Sequence, residues 1–127
     1  MERSNEGDGV PAWVVRRRLE RARRIAERPV INLRGEEALR RLFEVAHGDS
    51  GQCRRVARFL LGCYNGSRFP FDLADLRGLD GELFDDCMAV LKMDWYLDKE
   101  VHCYFPNGGE QFERLAEQWG LEDRSRS

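Results

Sequence analysis

Apolar residues recur at helical spacing through most of the chain, and the clearest run lies between Gly48 and Gly66. Its apolar positions are three or four residues apart, at Val56, Phe59, Leu60, Cys63 and Tyr64. This spacing places the side chains on one face of an α-helix. Asp49 and Gln52 predict a capping box at its start. Asn65-Gly66 predicts a left-handed residue at its end. We therefore expect the fold to be organised around this central helix.

Two further helices are predicted before the central one. The first runs from Ala12 to Arg28 and should stop there, because a proline such as Pro29 disfavours helix at the residue before it. Residues 30–33 form a short apolar connector. The second runs from Glu36 to His47 and should form a helical hairpin with the central helix. Its buried stripe is predicted at Leu39, Leu42, Phe43 and Ala46.

The second half of the chain predicts a loop, two helices and one candidate strand. Asp72 should cap a short turn, and Asp80 a helix from Gly81 to about Leu97. The apolar face predicted for this helix, expected to be the most buried of this half, comprises Leu83, Phe84, Cys87, Met88, Leu91 and Trp95. Residues 101–105 are of strand-forming types and could pair with residues 30–31. Asn107 and Glu110 predict a capping box for a last helix ending at Trp119.

Together these patterns predict a mainly α fold, a compact bundle of four to five helices with a short two-stranded β-pair as an optional addition. Residues 1–10 should be disordered and residues 11–28 form an arginine-rich helix. Residues 30–120 should form a single helical domain, and residues 121–127 should fray.

Charge adds a division that the apolar pattern does not show. The net charge of −2 combines a basic first part, with 15 Arg and 9 acidic residues up to Arg68, and an acidic second part, with 6 basic and 14 acidic residues. Such asymmetry indicates either a half that binds polyanions or two halves that attract each other. Arginine outnumbers lysine 19 to 2, which codon bias in a GC-rich genome explains at least as readily as function.

The sequence predicts a cytoplasmic protein that does not span a membrane. The N-terminal residues are polar and acidic, without the apolar core of a secretory signal. No apolar run approaches the roughly 20 residues that a membrane-spanning helix needs. The four cysteines are scattered and are interpreted as reduced thiols.

Candidate catalytic and metal-binding residues are few. The letters around Ser50, Gly-Asp-Ser-Gly, match the nucleophile motif of chymotrypsin-like proteases, but a helix-capping turn explains them better. Cys53 is the best candidate for a reactive thiol, because it should lie in the first turn of a helix next to two arginines. No cysteine or histidine pair has the spacing of a local metal site, so neither metal nor cofactor is predicted.

Candidate binding residues carry more weight than candidate catalytic or metal-binding residues. Six arginines of the first helix could contact nucleic acid or an acidic partner: Arg16, Arg17, Arg18, Arg21, Arg23 and Arg24. A solvated or acid-paired helix is the stronger interpretation, because charge runs are usually solvated. Four aromatic residues are the candidate interaction surface: Trp13, Phe69, Phe71 and Trp95.

Three motifs stand out in the chain: GDSGQCRRVARFLL at residues 48–61, FDLADLRGLD at residues 71–80 followed by DDCMAV at 85–90, and QFERLAEQW at 111–119. Together they resemble an uncharacterised bacterial family of small proteins carried by integrative conjugative elements and plasmids. The resemblance covers residues 36–119 and leaves the arginine-rich helix outside. The chain departs from the family pattern at Cys63-Tyr64 and Arg77, where aromatic residues are expected. The resemblance implies a bacterial origin and the extent of the shared domain, but it implies no mechanism.

The leading functional hypothesis is a non-enzymatic accessory protein of a bacterial mobile element that acts by protein–protein interaction. Its partner is an unknown protein, and the oligomeric state stays open, with a homodimer among the options. The alternative is a nucleic-acid-binding regulator that uses the arginine-rich helix. A thiol- or metal-dependent enzyme is the third hypothesis.

Overall fold

The computed structural model describes residues 9–121 and 123–124, so the N-terminal segment expected to be disordered lies mostly outside the described residues. That part of the chain forms four α-helices and two short 3₁₀ helices and contains no strand, which confirms the mainly α fold. The α-helices are α1 (Ala12–Ala46), α2 (Gly51–Tyr64), α3 (Gly81–Trp95) and α4 (Gly108–Trp119), and the 3₁₀ helices are Leu73–Gly78 and Val101–Tyr104.

Helix α1 is one helix of 35 residues where the sequence predicted two helices and a connector. Pro29 lies inside it, so the predicted stop at Arg28 was wrong. An internal proline costs about 3 kcal/mol, because it lacks an N–H and crowds the carbonyl one turn earlier. Good helix formers on both sides, mainly Arg, Glu, Leu and Ala, outweigh that local cost.

The chain divides into two units, Met1–Val30 and Ile31–Ser127. The first unit contains the N-terminal part of α1, and none of its described residues is buried. The second unit contains the rest of α1, the other helices and the whole hydrophobic core.

The core of the second unit is built from one face of each of its helices. Its fully buried residues include Leu39, Leu42, Leu60, Val90 and Phe112. The predicted stripe of residues 39–46 is confirmed except that Phe43 is half-buried. Helix α1 passes close to α3 at Gly35, where a Cβ would lie 2.5 Å from the Cβ of Met93.

The predicted cap at the start of α2 was wrong, whereas its end lies at Asn65 as predicted but without the expected left-handed conformation. Ser50, not Asp49, is the cap, and its Oγ accepts from the Cys53 amide at 3.2 Å. Asn65 ends the helix with extended backbone (φ −158°) rather than in the left-handed region. The carbonyl of Leu61 still receives the Asn65 amide at 2.8 Å, so no left-handed residue is required at this end.

Helix α3 buries only part of the face predicted for it. Cys87, Val90 and Met93 are buried, whereas Phe84, Leu91 and Trp95 are exposed. The broad apolar composition of this helix made two faces equally eligible. Packing against Gly35 of α1 brings Met93 inside, Leu83 and Met88 lie partly buried against the core, and the three exposed side chains face outward.

The strand predicted for residues 101–105 is instead the 3₁₀ helix Val101–Tyr104, and its proposed partner, residues 30–31, lies within α1. A two-residue pairing would gain too little to compete with that helix. Gly108 begins α4 against this turn, and a Cβ there would lie 1.6 Å from the His102 carbonyl oxygen. Asn107 precedes it in the left-handed conformation (φ 52°), without a side-chain capping hydrogen bond.

Candidate interaction surfaces

Ion pairs in the second unit join arginines of the basic part of the sequence to acids of the acidic part. Arg41 Nη2 lies 2.8 Å from Asp86 Oδ1, and Arg58 Nη1 lies 3.7 Å from Asp75 Oδ2. The hydrogen bonds that Arg41 donates to the Asp86 carboxylate raise the pKa of Arg41. Within this unit the charge division therefore holds sequence-distant segments together, which is one of the two interpretations that the sequence allowed.

Arg68 is the centre of the densest polar network. Its Nη1 and Nη2 donate to the two oxygens of Glu113 at 2.6 and 2.9 Å, and its Nε donates to Asp123 at 2.7 Å. Tyr64 donates to the same Glu113 at 2.5 Å. These bonds from Arg68 and Tyr64 lower the pKa of Glu113, while desolvation, followed by the bond to Glu113, raises the pKa of Tyr64.

The same arginine holds the end of the described chain. Its backbone carbonyl accepts from the Arg124 amide at 2.8 Å, and Leu121 packs against the core. The structure thus holds Leu121, Asp123 and Arg124 against the unit, where the sequence suggested fraying.

Gln52 and Asp80 form a reciprocal tie between α2 and the start of α3. Gln52 Nε2 donates to the Asp80 carboxylate at 3.0 Å, and the Asp80 amide donates to Gln52 Oε1 at 2.6 Å. This explains why Gln52 does not complete a capping box and why the Asp80 carboxylate makes no capping bond to α3. Asp72, by contrast, caps its 3₁₀ helix as predicted, accepting from Ala74 at 2.9 Å.

The Gly-Asp-Ser-Gly turn uses its side chains locally. Ser50 Oγ caps α2 and also lies 3.1 Å from Cys53 Sγ. His47 Nδ1 donates to the Phe43 carbonyl at 2.7 Å, and its ring packs edge-on against Phe43. Cys53 is half-buried, with its Sγ against Gly48. The structure therefore gives each of these side chains a structural contact.

The other cysteines differ in their exposure to solvent. Burial raises the pKa of Cys63 and of Cys87 to about 12 each, so both stay protonated at neutral pH. Cys103 is exposed, beside His102. Among the described residues no group of three or more His, Cys, Asp or Glu side chains could hold a metal ion.

Two of the aromatic candidates lie away from the open surface. Phe69 is 5% exposed and belongs to the core, with the Arg68 guanidinium 4.8 Å from its ring centre. Phe71 is half-buried against Phe59. Both line a groove of about 470 Å³ whose other walls include Arg54 and Arg58. Burial of Phe69 removes it from the candidate interaction surface. A loop aromatic carries no periodicity that would show where it packs.

Trp95 is 66% exposed and belongs to a surface that the sequence did not single out. We call it the apolar stripe: Phe84, Met88, Leu91 and Trp95 follow one another at spacings of four, three and four along α3. Phe84 is 39% and Leu91 40% exposed. Asp85, Lys92 and Asp94 lie beside the stripe. Side chains at this spacing form one continuous face, which is the form in which a helix presents an apolar surface to a partner.

The six candidate arginines and Trp13 lie on the part of α1 in the first unit. Trp13 is 53% exposed, and all six arginines are exposed except Arg24, which is intermediate. Arg23 lies 3.6 Å from Glu20 on the same helix. Arg17, Arg21, Arg24 and Arg28 follow one another at spacings of four, three and four, so four guanidinium groups share one helix face.

A family model described as "Family of unknown function (DUF7673)" matches residues 36–120, about two thirds of the chain. No curated protein and no solved structure matches the chain. The matched range contains the core of the second unit, the Arg68 network and the apolar stripe. It leaves out the arginine-rich part of α1.

Proposed function

The chain belongs to DUF7673, a family of unknown function, and from that membership and the exposed surfaces above we propose that it is a non-enzymatic protein-interaction module. We further propose that it acts in the bacterial cytoplasm as an accessory protein of a mobile genetic element. The bacterial and mobile-element parts are supported by the resemblance of its three motifs to proteins of conjugative elements and plasmids. Among the described helices, none is both long and apolar enough to cross a membrane.

The observation that carries the proposal is the apolar stripe on α3. Trp95, Leu91 and Phe84 expose large apolar areas on one helix face within the matched domain. Removal of such area from water stabilises association by about 25 cal/mol per Å² before the costs of binding are subtracted. Tryptophan is also enriched among the residues that dominate binding energy at interfaces.

The polar residues of the domain also support the proposal, because they are used in contacts within the fold. Gln52, Asp80, Arg68 and Glu113 are engaged in contacts between segments of the fold. Such contacts position helices. Phe84, Leu91 and Trp95 keep large exposed apolar areas in the same unit, and this exposed area is what supports an interaction role.

Affinity purification from the native host tests this function. Tagged wild-type protein should retain a protein that is lost with Trp95→Glu. Leu73→Glu is the matched control, because Leu73 is 73% exposed in the same unit but lies outside the stripe; this variant should retain the partner. Failure of the wild type to retain any protein, or equal retention by Trp95→Glu, would overturn the proposal.

A second candidate function is nucleic-acid binding by the arginine-rich part of α1. Five of the six candidate arginines, all except Arg24, are exposed and favour it, because exposed guanidinium groups along a helix can neutralise phosphates. Binding to a duplex should then fall steeply with salt, and the slope should vanish when the six candidate arginines of the sequence analysis are changed to glutamine. Absence of binding at low salt would exclude this function.

A further inference from the structure

The first unit carries a second apolar line, distinct from the apolar stripe. We call it the N-terminal seam: Ala12, Val15, Leu19, Ala22 and Ala26, at spacings of three, four, three and four. All five residues are exposed, Val15 by 43% and Leu19 by 67%. Alternating spacings of three and four define the a and d positions of a coiled-coil helix, which face a partner helix.

Arginines flank this seam on both sides. With Ala12, Leu19 and Ala26 at position a, Arg16 and Arg23 occupy position e and Arg18 occupies position g. Side chains at e and g set the choice of partner, because they meet the flanks of the facing helix. Glu20, whose carboxylate lies 3.6 Å from Arg23, lies at position b, away from the contact.

The flanking charges disfavour the same seam of a second copy as the occupant. Parallel pairing would set Arg18 of one copy opposite Arg23 of the other. Antiparallel pairing would set the flank that carries Arg16 and Arg23 against itself. Like charges at these positions destabilise the pair and suppress the wrong partner.

The small residues of the seam favour a partner helix with larger side chains. Ala12, Ala22 and Ala26 occupy three of the five seam positions, so a facing helix can approach closely and fill the space with leucine or isoleucine. We propose that the N-terminal seam binds an amphipathic α-helix of another protein, with bulky aliphatic residues at its a and d positions and Glu or Asp at e and g. This contact lies outside the family-matched range and is separate from the one at the apolar stripe.

Three synthetic helical peptides test the partner chemistry on the full-length protein. All share leucine at a and d over three heptads, and they carry Glu, Lys or Gln at e and g. Fluorescence anisotropy should show binding of the Glu peptide at least about tenfold tighter than binding of the Lys peptide, an advantage that shrinks with added salt. Equal affinities for the Glu and Lys peptides, or no binding of the Glu peptide, would overturn the proposal.

A charge swap separates the seam from the general positive charge of the helix. Arg16→Glu/Arg18→Glu/Arg23→Glu should reverse the preference toward the Lys peptide. Arg17→Glu/Arg21→Glu/Arg24→Glu changes the net charge by the same amount on positions away from e and g, and should keep the preference for the Glu peptide. Reversal by both triple variants would contradict the seam, and circular dichroism confirms that each variant stays helical.

Leu19→Glu completes the test. It should weaken binding of the Glu peptide at least about tenfold, because a charged side chain would enter the apolar contact. Sedimentation tests whether the seam instead binds a second copy of this chain. Leu19→Glu should leave the sedimentation of the wild type unchanged. Self-association of the wild type that Leu19→Glu abolishes would show that the seam binds a second copy, and the proposal would be wrong. Neither outcome depends on the affinity purification with Trp95→Glu, so the two proposals fail separately.

Discussion

Replacement of Arg68 by methionine removes the centre of the polar network while keeping most of its aliphatic volume. The change deletes two hydrogen bonds to Glu113 and one to Asp123 and leaves both carboxylates without this cation. The side chains of Arg68 and Asp123 are only 25% and 19% exposed, so water replaces these bonds incompletely.

The expected loss follows from burial. Bonds to charged groups contribute about 1.5–3 kcal/mol each when buried, and exposed pairs contribute about 0.2–1 kcal/mol. Because Glu113 is 41% exposed, we take about 1 kcal/mol for each bond, which gives a loss of about 2–3 kcal/mol. With a urea m-value of about 1.5 kcal/mol/M, the unfolding midpoint should fall by roughly 1.3–2 M.

Arg114→Met is the matched control in urea unfolding followed by circular dichroism. Arg114 pairs with Glu110 one turn away, but the two side chains are 68% and 65% exposed, so this change should cost less than about 0.5 kcal/mol. Equal midpoints for the two variants would refute the reasoning.

The same pair of proteins gives a pH test. The folded-state pKa of Glu113 lies below its ordinary value of 4.5, mainly through Arg68. Its contribution to stability is therefore full above that value and is lost as the pH falls through the folded-state pKa. The stability difference between wild type and Arg68→Met should be largest near neutral pH and shrink under acid conditions. A difference that stays constant from neutral pH to pH 3 would contradict the network.

Three further predictions concern the fold. Gly108→Ala should destabilise the protein by more than about 3 kcal/mol, because the new Cβ would clash with the His102 carbonyl. Gly109→Ala is the control, since the nearest atom to its Cβ would be 3.9 Å away. Similar melting temperatures for the two variants would contradict this. Leu42→Ala should cost about 2–5 kcal/mol by urea unfolding, against a negligible loss for Leu19→Ala on the exposed seam; comparable losses would place Leu42 outside the core. The raised pKa of Tyr64 favours its protonated form in the fold, so its contribution is present below about pH 10 and lost above it; Tyr64→Phe should flatten this alkaline loss, and an unchanged profile would contradict the assignment.

The amphipathic helices of the core could be predicted from the sequence, because periodicity is a local property. Leu39, Leu42, Phe59 and Leu60 were predicted on buried faces and are buried. Predictions from local sequence failed where contacts with distant parts of the chain determine the conformation. Pro29 was expected to end a helix that runs through it, and residues 101–104 form a 3₁₀ turn against Gly108 rather than a strand.

The surfaces were harder to predict than the core. Phe84, Leu91 and Trp95 share apolar character with the buried face of α3, so composition alone could not show which side faces outward. The contacts of Gln52 and Arg68 join residues far apart in sequence, which spacing does not reveal. Trp95 was predicted both on the buried face of α3 and as a candidate interaction residue, and the structure leaves it 66% exposed.

Hydroxyl-radical footprinting of the protein bound to its purified partner tests the central claim most directly, namely that the apolar stripe is the binding surface. Oxidation of Trp95 and Met88 should slow at least several-fold in the complex, while Leu73 and Trp13 should be oxidised at the same rate as in the free protein. An unchanged rate at Trp95, with protection elsewhere on the domain, would contradict the account.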